Sequence, residues 1–253
     1  MKQQGGRRTI GPGTTSPKVS VICVVFNAEA TLPVLLESYR ANKTDDVELV
    51  IIDGDSTDGT LKLIQKNKDL IDFWLSETDN GIYDAMNKAT TYANGKWLVF
   101  MGADDTFESG FAGMVDSLED EYTVYYGDTI FYGKKFKKVY DDYYLTKLNI
   151  CHQSIFYPRG VFKKYQYDLQ YKVYADYHLN LRLWKDPEFK FEHKDFLVAS
   201  FTEGGFSTTT KDEVFEADRD KLFKTYLTRS SYYRYLNRSI GWFRTFLRFI
   251  VNK

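Results

Sequence analysis

Four apolar runs, each closed by a polar cluster and followed by an amphipathic stretch, set the pattern of the first half of this chain. Val19 to Phe26 ends at Asn27, and Glu29 to Ala41 follows with Leu32, Leu35, Leu36 and Tyr39 at helical spacing. Val47 to Ile52 closes on DGDSTDGT before a helix over Leu61 to Asn67, and Leu70 to Leu75 closes on SETDNG before a helix over Ile82 to Ala93. Lys96 to Met101 is the fourth run, and it stops on Asp104 and Asp105. Trp97 to Met101 shows no polar alternation, which predicts a strand covered on both faces. Repeated strand-to-helix units predict a parallel, doubly wound α/β sheet with right-handed crossovers.

The second half changes character. EYTVYYGDTIFYGKKFKKVYD predicts strands joined by a turn at Gly133-Lys134, and Cys151-His152-Gln153-Ser154 opens a strand-like run to Tyr157. Tyr171 to Leu183 reads as a helix carrying Asp176, Phe189 to Phe201 as two strands, and Glu203 to Ser207 as a loop. From Glu213 onward the pattern is helical. The chain divides into a disordered leader over 1–18, one domain over 19–210 with halves meeting at 120/121, and a helical tail over 211–253.

Composition narrows the class. At 253 residues one large core is expected. Cys23 and Cys151 match no metal or redox spacing, so both are read as reduced thiols of a cytoplasmic protein. Met1 to Lys18 has no apolar h-region of a secretory signal, and no run approaches a membrane span. The net charge of −1 hides an asymmetry: residues 221–253 hold eight Lys or Arg and no Asp or Glu, leaving 26 basic against 35 acidic residues before them. No nucleic-acid partner is expected.

The polar clusters fall at corresponding places: Asn27 after the first strand, Asp53 and Asp55 after the second, Asp79 after the third, Asp104 and Asp105 after the fourth. Asp and Asn are ordinary turn and cap residues, but four clusters at one rim of such a sheet are where ligands bind. Adjacent carboxylates repel unless a cation or proton compensates, and a divalent ion bridging phosphates is one compensation. FNAEATL has no glycine fingerprint for a dinucleotide, no P-loop exists, and the acidic loop at Asp53 to Gly59 misplaces the glycine of a calcium loop. IIDGDST and FMGADD imitate a haloacid-dehalogenase-like phosphatase, with Asp53 as nucleophile, although a complete strand and helix precede that strand here. A non-catalytic scaffold of a polysaccharide assembly complex is the other alternative.

VSVICVVFNAEATLPVLLES, VELVIIDGDSTDGT, SETDNGIYDAMNKAT and ANGKWLVFMGADD, in this order and spacing, resemble family 2 glycosyltransferases. These are inverting enzymes of GT-A fold, a Rossmann-like, mostly parallel sheet, that use nucleotide-diphosphate sugars. The resemblance covers about residues 18 to 208. It implies a nucleotide-sugar half over 19–120 and an acceptor half over 121–210. It implies further that Phe26, Asn27 and Glu29 line the nucleotide pocket, with Asp53 and Asp55 near base and ribose, and Asp84 and Asn87 close to the donor. Asp104 and Asp105 occupy the family's DXD position, Asp104 towards ribose and metal, Asp105 as main ligand of Mg2+ or Mn2+. Many members have Asp-Asp-Gly-Ser where this chain has Asp53-Gly54-Asp55-Ser56; the second aspartate of that pattern often contacts uracil, and glycine stands there.

ICHQSIFYPRGVF resembles an acceptor-side segment of bacterial polysaccharide-building members, which makes His152 and Gln153 candidates for acceptor or diphosphate contacts. VYADYHLNLRL resembles the segment with the catalytic base, matched by Asp176. The Gln-x-x-Arg-Trp motif of processive members is absent, which favours single-sugar transfer to a saccharide or lipid-linked saccharide. Leu236, Ile240, Phe243, Leu247 and Ile250 recur at steps of four and three, with Arg234, Arg238 and Arg248 on the other side. Such a helix over 229–253 suits an anionic membrane surface at the inner face, and equally a packed position on its own domain or in a homodimer.

Overall fold

The computed structural model describes residues 2–11, 16–202 and 209–238. The four apolar runs become neighbouring parallel strands, β2 (Val19–Val25), β3 (Val47–Asp53), β4 (Phe73–Ser76) and β5 (Trp97–Met101), in the spatial order β4-β3-β2-β5. Alternation along each strand sends side chains to opposite faces, and both faces are buried. Val21, Leu49 and Val99 pack under α2 (Leu32–Asn42), α3 (Thr60–Lys66) and α5 (Phe111–Asp116). Ile22, Val50 and Phe100 pack on the other side under α4 (Ile82–Thr90). Every residue of β5 is buried, as a strand without polar alternation requires.

Beyond β5 the sheet becomes mixed. β9 (Ile155–Pro158) pairs antiparallel with β5 and with β7 (Thr123–Phe131), and β10 (Lys190–Ser200) runs parallel to β7. β6 (Thr106–Phe107) closes that edge against β10. β8 (Lys134–Phe136) turns back onto β7 through Tyr132 and Gly133, at φ of 50° and 66°, so the hairpin turn sits one residue earlier than predicted, with both central residues in the left-handed region its twist requires. Phe189 to Phe201 forms one strand rather than two, because β10 absorbs its irregularity as register shifts near His193 and Leu197 without leaving β7.

Helices α6 (Arg159–Lys164), α7 (Ala175–Lys185) and α8 (Glu213–Tyr226) complete the second half. α7 starts at Ala175 rather than Tyr171: the Val173 and Tyr174 N–H groups donate to Asp212 Oδ2 at 2.8 and 3.1 Å, while Asp212 Oδ1 caps α8 by accepting from Phe215 N–H at 3.0 Å. One carboxylate thereby ties the entry of α7 to the start of α8.

Two expectations about the ends are corrected. The leader is structured over 2–11: β1 (Gln3–Gly5) adds antiparallel to β4, and α1 (Arg7–Ile10) follows. The reason is Glu48, fully buried within β3, whose carboxylate needs a cation and receives the Arg8 guanidinium. The Ser20 hydroxyl and the Asn94 N–H complete its shell. At the other end the helix breaks at Leu227, and Thr228 N–H donates to Asp142 before residues 229–238 resume a helix. There Tyr235 packs edge-on against Phe223 at 5.0 Å, and Arg234 lies 3.8 Å from the Tyr143 ring centre. Ile240, Phe243, Leu247, Ile250 and Arg248 of the proposed amphipathic face lie outside the described residues, as does the loop 203–208. No described helix is long and apolar enough to cross a membrane.

Candidate active site

A cleft of about 810 Å³ opens at the carboxyl ends of β2, β3, β4 and β5, a size ordinary for a nucleotide-sized ligand. Phe26, Asn27, Asp84, Asp104, Asp105 and Gln153 all line it, brought from the ends of β2 and β5, from helix α4 and from the turn before β9. Asp79, Tyr83, Lys172 and Phe201 line it too. Glu29, Asp53, Asp55, Asn87, His152 and Asp176 stand outside its wall.

The loops that carry the nearer wall are locked to each other. Asn27, at φ 49°, accepts from the Thr57 N–H through Oδ1 at 2.9 Å and donates its own N–H to Ser56 Oγ at 2.8 Å. Glu29 accepts from Gly59 N–H at 2.8 Å. Asp53, wholly buried, accepts from Ser76 Oγ at 2.6 Å and from Ser56, riveting the β3 loop to β4. Glu29 and Asp53 therefore hold the wall rather than form it. That placement also removes the phosphatase reading, since a nucleophile at Asp53 would have to face the cleft.

Other expected contacts are likewise spent inside the fold. Asn87 clips the Tyr167 backbone, donating to its carbonyl and accepting from its N–H, both at 2.9 Å. His152 stacks on Phe100 with ring centres 5.0 Å apart and shares a 2.9 Å hydrogen bond with the Tyr167 hydroxyl. Burial lowers its pKa, which favours the neutral imidazole. Asp84 stays in the wall, where the Asn80 N–H at 2.9 Å and nearby Lys88 outweigh burial and hold its pKa below the usual carboxylate value.

The acidic pair lies where β5 ends. Gly102 makes room for it: a Cβ there would stand 2.6 Å from Asp105 Oδ2 and 2.8 Å from Asp104 Oδ1. Asp104 is half-buried and Asp105 buried. Asp105 accepts from Gln153 Nε2 at 2.7 Å, Thr202 N–H at 2.9 Å and Gly102 N–H at 3.1 Å. Burial, reinforced by the charge on Asp104, pushes its pKa up to about 6 in spite of those donors. A cation beside two adjacent carboxylates, one of them buried, would favour their charged forms. Two carboxylate side chains, with about one lone pair of Asp105 still free, are oxygen donors of the kind a hard divalent ion takes, but they are too few to hold it alone, since no cluster of three His, Cys, Asp or Glu side chains occurs among the described residues. The remaining coordination would fall to water and substrate phosphate oxygens, as is usual for Mg2+.

Asp176 lies in the first turn of α7, 7% exposed, behind Tyr83. Tyr83 Oη is 2.9 Å from Asp176 Oδ1 and 2.7 Å from the Val173 carbonyl, and Asn149 Nδ2 donates to Asp176 Oδ2 at 2.7 Å. Asn149 is held in turn by Asn180, and Asn180 by the Tyr157 hydroxyl, at 2.9 and 2.8 Å. The chain of amides leaves Asp176 facing the cleft through one phenol. Sequence reading missed Tyr83 because its neighbours Ala85 and Ala89 mark that helix as core, and missed Lys172 because nothing in its spacing separates it from any surface lysine.

The chain's similarities agree with this geometry. The model of "Glycosyl transferase family 2" matches residues 20–211. A PGL/p-HBAD biosynthesis glycosyltransferase of Mycobacterium bovis (strain BCG / Pasteur 1173P2) is 38% identical over 212 residues, spanning 79% of this chain and 83% of that protein. Among solved structures, S. aureus TarS in complex with UDP-GlcNAc superposes with a TM-score of 0.61 at 17% identity, over 81% of this chain and 65% of that one. The mannosyltransferase PcManGT from Pyrobaculum calidifontis, in complex with GDP-Man and Mn2+, gives 0.59 at 18% identity, over 85% of this chain and 66% of that one. The mostly parallel α/β architecture is the GT-A fold. With the family model covering residues 20–211, the chain belongs to glycosyl transferase family 2.

Proposed function

We propose that this protein transfers a sugar from a nucleotide-diphosphate sugar to an acceptor hydroxyl with inversion, in the building of a cell-surface saccharide or glycolipid. The observation that carries the reading is the cleft at the ends of β2 to β5 with Asp104 and Asp105 in its wall. The mycobacterial relative named for PGL/p-HBAD biosynthesis supports a biosynthetic glycosyl transfer, and the neighbours solved with UDP-GlcNAc and GDP-Man support the donor class.

In this reading Asp105 and Asp104 hold a Mg2+ or Mn2+ ion, which when bound supplies positive charge for the diphosphate leaving group. Gln153 and the Thr202 N–H orient Asp105. Lys172, the one cationic side chain in the cleft wall among the described residues, faces the same anionic ligand. Asp176 takes up the acceptor's hydroxyl proton by way of Tyr83, whose phenol gives its own proton to Asp176 Oδ1 and receives the acceptor's as that oxygen bonds to the anomeric carbon; the bond from that carbon to the diphosphate breaks with its electron pair on the leaving group. Tyr83 positions Asp176. One displacement with the nucleophile opposite the leaving group inverts the centre, so alignment of two substrates matters as much as proton transfer.

The test is a thermal-shift and turnover panel of nucleoside diphosphates and nucleotide sugars, with and without Mn2+. Ligands that bind only the folded state raise its melting temperature. Metal-dependent stabilisation by at least one nucleoside diphosphate is expected; no shift with any, at millimolar ligand, would overturn the reading.

A further inference from the structure

Position 54 is glycine for want of space, not for the sake of its backbone. Its neighbour Asp55 is the residue with positive φ, 65°, where glycine would be at ease and an aspartate is merely tolerated. Gly54 is not among the residues of positive φ. A Cβ on Gly54 would instead stand 2.6 Å from Asp79 Oδ2, 3.4 Å from Asp79 Cγ and 3.5 Å from Phe26 Cδ2. The Asp79 carboxylate, carried on the loop after β4, fills the volume that a side chain at 54 would need.

That carboxylate is oriented. Asp79 Oδ1 accepts from the Gly81 N–H at 2.8 Å, in a turn where Gly81 takes φ of 115°. Oδ2 is left over bare backbone, without a hydrogen bond among the described residues. Beside it Phe26 stands 64% exposed in the cleft wall, an uncovered aromatic face where folding alone would favour a polar residue. An exposed ring, a strip of glycine backbone and one free acceptor oxygen form a slot for a flat ligand with an N–H on its edge. The slot lies two to three strands from Asp104 and Asp105 in the order β4-β3-β2-β5, roughly 10–14 Å at the usual strand spacing. One elongated nucleotide can reach both.

We propose that Asp79 reads the nucleobase of the donor: the base lies on Phe26, passes over Gly54, and gives a ring imide N–H to Asp79 Oδ2. The inference rests on the donor reading of the cleft and adds the class of base. A carboxylate only accepts. Uracil and thymine offer N3–H and guanine offers N1–H, whereas adenine and cytosine turn a ring-nitrogen lone pair towards the same oxygen and are repelled. Asp79 thus selects among donors without touching the diphosphate.

Calorimetric titration of UDP, dTDP, GDP, ADP and CDP in Mn2+ tests this on the full chain. Wild type should bind the three imide-bearing diphosphates at least about tenfold more tightly than ADP and CDP, the scale of one hydrogen bond to a charged group. In Asp79→Ala those three should fall to the level of ADP, while ADP binding and the Mn2+ requirement persist. Gly54→Ala, which forces Asp79 aside, should compress the ranking in the same way; Phe26→Ala should weaken all five alike. Far-ultraviolet circular dichroism and melting curves confirm that each variant is folded. A ranking unchanged in Asp79→Ala, or a wild-type preference for ADP or CDP, overturns the proposal while leaving the donor reading intact. Failure of wild type to bind any of the five overturns both.

Discussion

The Tyr83 hydroxyl lies 2.9 Å from Asp176 Oδ1, so the carboxylate proposed as base meets the cleft through a phenol rather than directly. Asp176→Asn keeps the size and the Asn149 neighbour but loses basicity. Turnover should fall by ~10² to 10⁴-fold with nucleoside-diphosphate binding preserved. Tyr83→Phe removes the phenol through which the acceptor's proton must pass and should lower kcat on the same scale, ~10² to 10⁴-fold, with nucleoside-diphosphate binding again preserved. Steady-state kinetics beside calorimetry separates the two effects, and wild-type turnover in Asp176→Asn would move the base elsewhere.

Gly102→Ala is predicted to damage metal binding without entering the metal's coordination. Its Cβ would sit 2.6 Å from Asp105 Oδ2 and 2.8 Å from Asp104 Oδ1, so both carboxylates must shift. Mn2+-dependent nucleotide binding should weaken at least about tenfold, since sub-ångström displacement of positioned groups is costly. Isothermal titration checks it, with Asp105→Ala as the variant expected to lose the metal dependence altogether.

Asp105 also makes a prediction about pH. Its pKa is raised from 3.8 to about 6 in the folded protein. Between those values the folded state holds a proton that the unfolded state has released, so this group's contribution to stability falls as pH rises from about 4 through 6. The difference is on the order of 2–3 kcal/mol. Asp105→Asn removes the titration, so wild type should lose stability relative to the variant across that window in urea melts. Mn2+ competes with the same proton, and its stabilising effect on wild type should be smaller at pH 5 than at pH 7.5.

The leader makes a stability prediction. Arg8 is the cation for Glu48, whose side chain is fully buried between β2 and β4. Arg8→Met should destabilise the domain by about 3–5 kcal/mol, the cost of leaving a buried charge unpaired. Adding Glu48→Gln should recover much of that loss. Denaturant midpoints for the single and double variants decide it; equal stability of wild type and Arg8→Met would show the pair to be idle.

Lys172 is expected to act on binding more than on chemistry. Lys172→Met retains the length of the side chain and removes the charge that lines the cleft. The KM for the donor should rise several-fold with kcat changed less, and the effect should shrink at high salt, where an exposed charge is screened. A donor KM equal to wild type would take Lys172 out of the site.

Hydrophobic period and the polar residues that punctuate it encode the layered sheet and its rim. The apolar runs at Val19, Val47 and Trp97, interrupted only by Ser20 and Glu48, read as strands covered on both faces, and the clusters that end them then share one rim. Asp104 and Asp105 were legible for that reason. Tertiary structure decided which polar residues of that rim face the cleft. Asp53, Asn87 and His152 belong to the same clusters as Gly54, Asp84 and Gln153, yet each is turned inward to meet a donor or acceptor from a distant part of the chain: Ser76, Tyr167, and Tyr167 again. Likewise Arg8 is ordered by a glutamate forty residues away. A buried polar atom must find a partner somewhere in the folded chain, and the sequence carries the need for that partner but not its position, which only packing settles.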